Sequence, residues 1–440
     1  MIIIKGFNKA KELLSRQISW EYSTTPVRQT TRTGQSPDTE LSVPGVVNLI
    51  IDDVRDKGDQ ALLDYTQKLD GAKLDSLEVS KQEITAAYNI IDKELIQALE
   101  LAAGRIRSFH IACKRKDGVI SIDEHLTQHI RPLDSVGLYI PGGTAAYPST
   151  VLMMAIPAEV AGVKEIIMVS PPGKDGRIPA ATLIAADIAQ VKRIFKVGGA
   201  QAIAALAFGT ESIPRVDKIC GPGNVFVTLA KKTVYGIVAI DGLEGPSEIV
   251  IIADESANPA FCAADILAQA EHDAMASVIL ITNSAELVNQ VDKEIKLQLG
   301  KLRRLAIATQ AIETGMLVLV DNIDEAVELV NLFAPEHLSL MVSDAHSLVT
   351  KIHNAGCIFV GENSPVIMGD YIAGPSHVLP TGGSARFSSP LGVDDFFKVT
   401  NVIALDKPKM QQLSHPASVI AKAEGLDAHA QAIEKRMKAK

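Results

Sequence analysis

Residues 136–170, VGLYIPGGTAAYPSTVLMMAIPAEVAGVKEIIMVS, set the reading of the whole chain. Two short apolar runs, GLYI (137–140) and EIIMV (165–169), flank a longer apolar run interrupted by Pro157 and Glu159. The short runs suit strands buried on both faces, and the longer one suits a buried helix that is too short to span a bilayer. The alternation continues downstream. RIFKV (193–197) and DKIC (217–220) read as strands, and helical runs start near Tyr147, Pro179, Ala200 and Val225. Strands alternating with helices predict a parallel sheet with right-handed crossovers.

A second series of the same kind follows. EIVIIA (248–253), SVILIT (277–282), LVLV (317–320), LSLMV (338–342) and CIFVG (357–361) read as strands with helices between them. Two consecutive α/β units of similar size suggest an old duplication, although no letter-level repeat is visible. The expected fold is α/β, with two Rossmann-like parallel-sheet domains at 131–243 and 244–390. A helix-rich segment, 1–130, is expected to pack on the second of them, and a small helical tail, 391–440, completes the chain. Glycine and proline cluster from 361 to 390, a long irregular segment of the kind that is usually functional when it sits inside a compact domain.

Composition narrows the function. At 440 residues, 47% hydrophobic and 22% charged, the chain is long enough for two or three domains with real cores. With only 4% aromatic residues, those cores must rest on Ala, Val, Ile and Leu. A net charge of −9 without basic blocks argues against a nucleic-acid partner. The charged start, MIIIKGFNKAKELLSRQ, does not read as a secretion signal. Cys113, Cys220, Cys262 and Cys357 form no CxxC pair, as expected for a reduced cytoplasmic protein. Cys220 is the one cysteine placed to be considered as a nucleophile, and the reading preferred for it is a small buried hydrophobe.

Chemistry concentrates in three places. In ILAQAEHD, Gln269 and His272 lie three apart on one helix face. Asn258 and Pro259 mark the start of that helix. In FAPEHLSL, Pro335 provides a bend at which Glu336 and His337 can face one point. In GDYIAGPSHVLPTGG stand Asp370 and His377. Imidazole and oxygen donors at these spacings suit zinc, and a second imidazole, His337, is left for proton transfer near neutrality. The alternatives are a His272 that donates to a backbone carbonyl and a Glu336-His337 pair on the surface. Three glycine-rich turns, after Ile140, Val197 and Cys220, each lead into a helix whose N-terminus could take phosphate, but none is a GxGxxG fingerprint.

In order along the chain, GLYIPGGTAAYPST, VGGAQAIAALAFGT, CGPGNVFVTLAK, GPSEIVIIAD, QAEHD, FAPEHL, GDYIAGPSHVLPTGGSARFSSPLGVDDFFK and AEGLDAH resemble the histidinol dehydrogenase family, as does the pattern from Val54 to Tyr65. The resemblance covers nearly the whole chain. It implies oxidation of L-histidinol to L-histidine, the last step of histidine biosynthesis, through a bound aldehyde and with two NAD. It implies zinc held by Gln269, His272, Asp370 and His429, and substrate contacts from Ser247, His337, His377 and Glu424. It implies NAD contacts from Tyr139, Gln201 and Asn224, with Glu336 and His337 as proton acceptors. By the same resemblance the first α/β domain carries NAD and the second the metal and substrate. Glu424 and His429 would reach a partner's site, making the enzyme a homodimer. Ala268 and Ser376 depart from the residues most members carry beside two of these ligands. The competing readings are a same-fold relative that oxidises another small alcohol, a zinc hydrolase built on the metal donors and Glu336, and a non-catalytic binding protein.

Overall fold

The computed structural model describes residues 1–15, 42–115, 118–142 and 146–438. Two parts of the sequence reading, residues 16–41 of the N-terminal segment and 143–145 of the first glycine-rich turn, lie outside the described residues. The chain divides into two compact units, one of residues 1–114 and 133–396 and the other of residues 115–132 and 397–440. Its strands are β1 (Ile2–Lys5), β2 (Gly118–Ser121), β3 (Leu126–Pro132), β4 (Ser135–Tyr139), β5 (Glu165–Ser170), β6 (Arg193–Lys196), β7 (Lys218–Cys220), β8 (Ala239–Ile240), β9 (Glu248–Ala253), β10 (Ser277–Thr282), β11 (Met316–Leu319), β12 (His337–Met341), β13 (Cys357–Val360) and β14 (Phe397–Ile403).

The larger unit holds two parallel sheets, ordered β6-β5-β4-β7-β8 and β1-β11-β10-β9-β12-β13. Counting from the first strand of each series, both follow the order 3-2-1-4-5 of a doubly wound sheet, as a duplication expects. Every strand that the apolar runs mark in these two series is present. The central strands β9 and β12 are buried along their whole length, which is why they read as near-continuous apolar runs. Edge strand β1 was not foreseen: its four residues carry only Ile4 inward, and it is placed by pairing Ile2–Lys5 with β11.

The helix Pro148–Ala161 is buried on almost every side, as its composition demands, and carries Pro157 within it. Asn258 caps the helix Pro259–Ala270 by accepting from the Ala260 amide at 2.9 Å, with Pro259 in the first turn. Both start signals in the sequence therefore act as read.

Two expectations about the ends of the chain need correction. Residues 1–14 lie on the second α/β domain through β1 and the helix Phe7–Leu14, and Arg105 reaches its Ile372 and Ala373 carbonyls, but residues 43–113 do not pack on its sheet. In the helix Val43–Lys57 the stripe Val43, Val46, Val47, Ile50, Ile51 and Val54 joins one core with Ile203, Leu206 and Val227 of the first sheet's helices. Those helices, Gly199–Phe208 and Val225–Val234, present many alanines and so let a bulky aliphatic stripe approach closely. The C-terminal boundary also moves. Residues 391–396 belong to the larger unit, where Phe396 is fully buried and the Lys218 Nζ donates to the Asp395 carbonyl at 2.9 Å. In the smaller unit the antiparallel sheet β14-β3-β2 is built from residues both before and after the α/β series, and the helices Lys407–Ala423 and Asp427–Lys438 pack on each other.

In the helix Lys93–Cys113, His110 is 1% exposed and neither ring nitrogen has a hydrogen-bond partner. Burial pushes its pKa down to about 4 from an ordinary 6.5, so the folded protein holds it neutral. Unfolded, the ring takes up a proton below its ordinary pKa. Stability from this site is therefore complete above pH 6.5 and is lost as the pH falls through about 4. The shift corresponds to on the order of 3 kcal/mol. In His110→Leu, denaturant unfolding followed from pH 7 to pH 4.5 should show a shallower loss of stability than wild type. Parallel curves would show that this ring is not a source of acid sensitivity.

Candidate active site

The helix Ile323–Phe333 ends at Ala334, a buried non-glycine residue in the left-handed region with φ 53. Such a conformation costs on the order of 1 kcal/mol and persists where the surroundings demand it. With Pro335 it turns the chain sharply, so that Glu336 and His337 arrive at the start of β12, buried to 7% and 3%. Gly356 accommodates this turn: a Cβ there would meet the Glu336 carbonyl, which instead accepts from the Cys357 amide at 2.9 Å.

Glu248, the first residue of neighbouring β9, closes the arrangement from the other side. The Glu336 Oε2 accepts from the Glu248 amide at 2.8 Å, and the Glu248 Oε2 accepts from the Glu336 amide at 3.3 Å. The Gly382 amide donates to the Glu248 Oε1 at 3.1 Å, which ties the long glycine-rich loop to the same carboxylate. His337 Nδ1 lies 2.9 Å from the Glu248 carbonyl oxygen, an acceptor only, so Nδ1 carries the hydrogen. In the neutral ring Nε2 is then the basic nitrogen. It is buried, has no hydrogen-bond partner and stands 3.5 Å from Asp370 Oδ1. The ring stacks on Phe359 with centroids 6.0 Å apart.

Burial opposes a charge on His337, but the Glu336 and Asp370 carboxylates outweigh it and raise its pKa above the ordinary value. In the same pairing Asp370 is lowered: burial raises it, and His337, His377 and His272 bring it down. Gln269 Nε2 lies 3.4 Å from His337 Nδ1, so the amide of the QAEHD helix reaches this site as well. Among the described residues no carbonyl accepts from the His272 ring; it is exposed, in the turn after that helix, and near enough to Asp370 to act on its charge.

Gln269, His272, Glu336, His337, Asp370 and His377 are thus brought together. His377 Nδ1 lies 2.8 Å from the Asp370 carbonyl, and its Nε2 lies 3.2 Å from Thr150 Oγ1. Both nitrogens are engaged, and burial pushes its pKa down. Ser247 directly precedes Glu248, with its carbonyl accepting from the Ser277 amide at 2.9 Å. Glu424 and His429 lie in the smaller unit, exposed at the end of one helix and the start of the next. Among the described residues no group of three or more His, Cys, Asp or Glu side chains is gathered closely enough to hold a metal. In the larger unit the expected ligand set contains two of those residue types, His272 and Asp370, beside a neutral Gln269.

The expected cofactor residues cluster at the carboxyl ends of the first sheet, where a doubly wound fold places its ligand crevice. Tyr139 ends β4, and its hydroxyl accepts from the Gly199 amide at 3.2 Å. Gln201 is 1% exposed, with Oε1 unpartnered. Asn224 caps the helix Val225–Val234 by accepting from the Phe226 amide at 3.0 Å. Gly221, with φ 129, passes so close to the Tyr139 carbonyl that a side chain there would collide. Cys220 beside it is buried, and burial pushes its thiol well above the ordinary value, which suits a packed hydrophobe and not a nucleophile. A cavity of about 260 Å3 between the 241–244 and 378–395 loops, lined by Glu244, Thr381, Ser384 and Asp395, does not include His337, Gln269 or Asp370.

Sequence reading missed Glu248 and Lys231. Glu248 was legible only as a charge opening an otherwise apolar strand. Lys231 is 1% exposed, and its Nζ meets Asp241 at 2.6 Å, Glu244 at 2.7 Å and the Gly221 carbonyl at 2.9 Å. The Gly221 amide donates to Asp241 Oδ2 at 2.6 Å, so this buried cluster fixes the CGPGN turn. Glu244 is pushed up to about 7 by burial and by Asp241, against the pull of Lys231.

A two-sheet α/β enzyme with a buried imidazole–carboxylate site is the class these features define. The histidinol dehydrogenase family profile matches residues 33–437. A histidinol dehydrogenase of Dehalococcoides mccartyi strain CBDB1 is 53% identical over 440 residues, covering 99% of this chain and 100% of the relative. One from Clostridium acetobutylicum is 51% identical over 395 residues, covering 89% and 92%. The crystal structure of histidinol dehydrogenase from Elizabethkingia anophelis superposes with a TM-score of 0.89 at 39% identity, covering 100% of this chain and 98% of that one. The chain belongs to the histidinol dehydrogenase family, and it is an oxidoreductase.

Removing the cation of the Lys231 cluster leaves Asp241 and Glu244 buried and facing each other. Lys231→Met should lower stability by about 3–5 kcal/mol, read as an earlier denaturant midpoint. An unchanged midpoint would show that the cluster does not hold this region together.

Proposed function

We propose that this enzyme oxidises L-histidinol to L-histidine in two hydride transfers, through a bound aldehyde, with zinc and two NAD per turnover. The observation that carries the reading is His337: a buried ring whose Nδ1–H is committed to a backbone carbonyl, leaving an Nε2 without a hydrogen bond beside Asp370, with Gln269 against the other side of the ring. Family membership supports histidinol as the substrate, and the zinc and NAD are part of the proposal.

The donors fit zinc by their chemistry. Gln269 and Asp370 offer oxygen and His272 nitrogen, and His429 would complete the set from a partner subunit. When bound, zinc supplies a Lewis-acid anchor for the substrate's imidazole and amino group and takes up the Asp370 charge that otherwise holds a proton on His337. NAD, when bound, would supply the hydride acceptor.

His337 Nε2 takes the hydroxyl proton of the alcohol as its carbinol carbon is oxidised to the aldehyde. Glu336, bracketed by the Glu248 amide, takes a proton from the water that adds to that aldehyde while His337 gives its proton to the carbonyl oxygen, so that a gem-diol forms and His337 is again a base. His337 then takes a hydroxyl proton of the diol during the second oxidation, which leaves the carboxylic acid of histidine, and this loses its remaining proton to water. Each oxidation releases one hydride and one proton. His337 and Glu336 are deeply buried and Asp370 is partly so, which keeps the reactive aldehyde from bulk water. Ser247, His377 and Glu424 contact the substrate; for His377 this requires exchange of its Thr150 partner. Tyr139, Gln201 and Asn224 line the NAD site at the carboxyl ends of the first sheet.

The enzyme works as a homodimer. The smaller unit exposes Val399, Ile403, Leu413, Val419 and Ile420, a set of large apolar side chains that suits coverage by a second copy. Four free cysteines fit a reducing cytoplasm, and no helix among the described residues is long and apolar enough to cross a membrane. With this placement the reaction is the last step of histidine biosynthesis.

Turnover of L-histidinol should yield two NADH for each histidine formed. It should stop on treatment with chelator and return with zinc. No turnover of histidinol, or product formed without NAD, would overturn the reading in favour of another alcohol or a hydrolase. Mixing inactive His337→Asn with inactive His429→Asn should restore activity in hybrid dimers, since one site of each hybrid is intact. Complete absence of rescue, with hybrids shown to form, would argue against a shared site.

A further inference from the structure

The side chains of Lys231 and Asp241 are 1% and 3% exposed, and none of the assigned chemistry uses them. Both close on one residue, Gly221. The Gly221 amide donates to Asp241 Oδ2 at 2.6 Å, and the Gly221 carbonyl accepts from the Lys231 Nζ at 2.9 Å. Asp241 Oδ1 meets the same Nζ at 2.6 Å and accepts from the Gly242 amide at 2.8 Å. Asp241 stands just past β8, and its own amide donates to the Ile219 carbonyl of β7 at 3.2 Å. Backbone therefore ties the two strand ends together before the Asp241 side chain closes on Gly221. Glu244 joins from another direction: its Oε2 meets the Lys231 Nζ at 2.7 Å, while both backbone polar groups of Gly221 are held by Asp241 and Lys231.

Gly221 is where the expected NAD residues meet. Its φ of 129 lets the chain pass against the Tyr139 carbonyl, where a side chain would collide. The Tyr139 hydroxyl accepts from the Gly199 amide at 3.2 Å, at the start of the helix that carries Gln201. Three residues beyond Gly221 stands Asn224, whose Oδ1 accepts from the Phe226 and Val227 amides at 3.0 and 3.2 Å. Its Nδ2 is then the group it can offer to a cofactor. Gly221 is buried and Asn224 is exposed, so the turn runs from a fixed base to an open tip. We infer that Lys231 and Asp241 are positioning residues for NAD, acting through the Gly221 backbone to hold the turn that ends in Asn224 against the end of β4. The inference rests on the NAD reading above. Replacing a buried ion pair by packed apolar groups is often neutral for stability. Holding an amide and a carbonyl of one residue at once is what this pair supplies and an apolar plug could not. A hydrogen bond between a charged group and the backbone is strong enough that losing it beneath a binding loop shifts affinity about tenfold or more.

The test is calorimetric titration of the full-length enzyme with NAD, with histidinol titrated separately and thermal unfolding run alongside. Asp241→Asn and Glu244→Gln each take one negative charge from the same lysine. Only the first touches Gly221, and an amide has a single oxygen where the carboxylate used two. Asp241→Asn should weaken NAD binding about tenfold or more and leave histidinol binding within about twofold. Glu244→Gln should leave both within about twofold. A purely structural role would lower the melting temperature with no such split between the variants or between the ligands. NAD affinity within about twofold of wild type in Asp241→Asn, equal losses in the two variants, or a parallel loss of histidinol binding would overturn the inference. Should Asp241→Asn fail to fold, Lys231→Met combined with Asp241→Asn and Glu244→Gln takes its place, since that variant leaves no charge of the cluster unpaired. There too a loss of NAD affinity of about tenfold supports the inference, and near-wild-type affinity sinks it. A wild-type enzyme that takes up no NAD overturns the cofactor reading and this inference together. NAD bound equally by wild type and Asp241→Asn overturns this inference alone.

Discussion

The reciprocal bracket between Glu248 and Glu336 is the constraint from which the site is built. Each carboxylate accepts from the other's backbone amide, and the Glu248 carbonyl accepts from His337. Two anionic side chains at the entry of adjacent central strands are tolerated because their oxygens are bound to amides and not left facing each other. The consequence for chemistry is direct. With Nδ1 fixed as a donor, the ring orientation and the tautomer are both set, and Nε2 is left as the nitrogen that can move a proton. The same bracket draws in Gly382, and through it the loop that carries Asp370 and His377.

The two sheets share a strand order, yet they use opposite edges. In the first, the expected cofactor residues follow the carboxyl ends of β4, β6 and β7, in keeping with the general rule for doubly wound sheets. In the second, Ser247, Glu248, Glu336 and His337 stand at the amino ends of β9 and β12. These are the two strands flanking the point where strand order reverses, so the second site keeps the switch point and inverts the edge. The strained Ala334 turn is the local device that makes an amino edge usable, because it brings two consecutive side chains inward where an ordinary strand would alternate them.

Buried charge is handled differently in three places. Lys231 is paired with two carboxylates and a carbonyl. His110 is held neutral with no hydrogen-bond partner on either ring nitrogen. The His337–Asp370 pair keeps its charges in contact but leaves Nε2 without a good hydrogen bond. The first stabilises a turn and the second is a weakness in acid. The third is the ion pair at the candidate active site.

Alternating apolar runs determined the parallel sheets, because central strands buried on both faces admit little else, and the capping pair Asn258-Pro259 determined one helix start to the residue. The spacing of Gln269 and His272, and the Pro335 bend before Glu336 and His337, were likewise legible, since each is a local rule of backbone geometry. What folding alone decided were relations between distant segments. Nothing in EIVIIA reveals that its glutamate meets Glu336, or that the stripe of Val43–Lys57 chooses the first sheet over the second. The physical reason is that these contacts depend on which buried surfaces fit and which amides lack an acceptor, and both quantities exist only once the chain is packed.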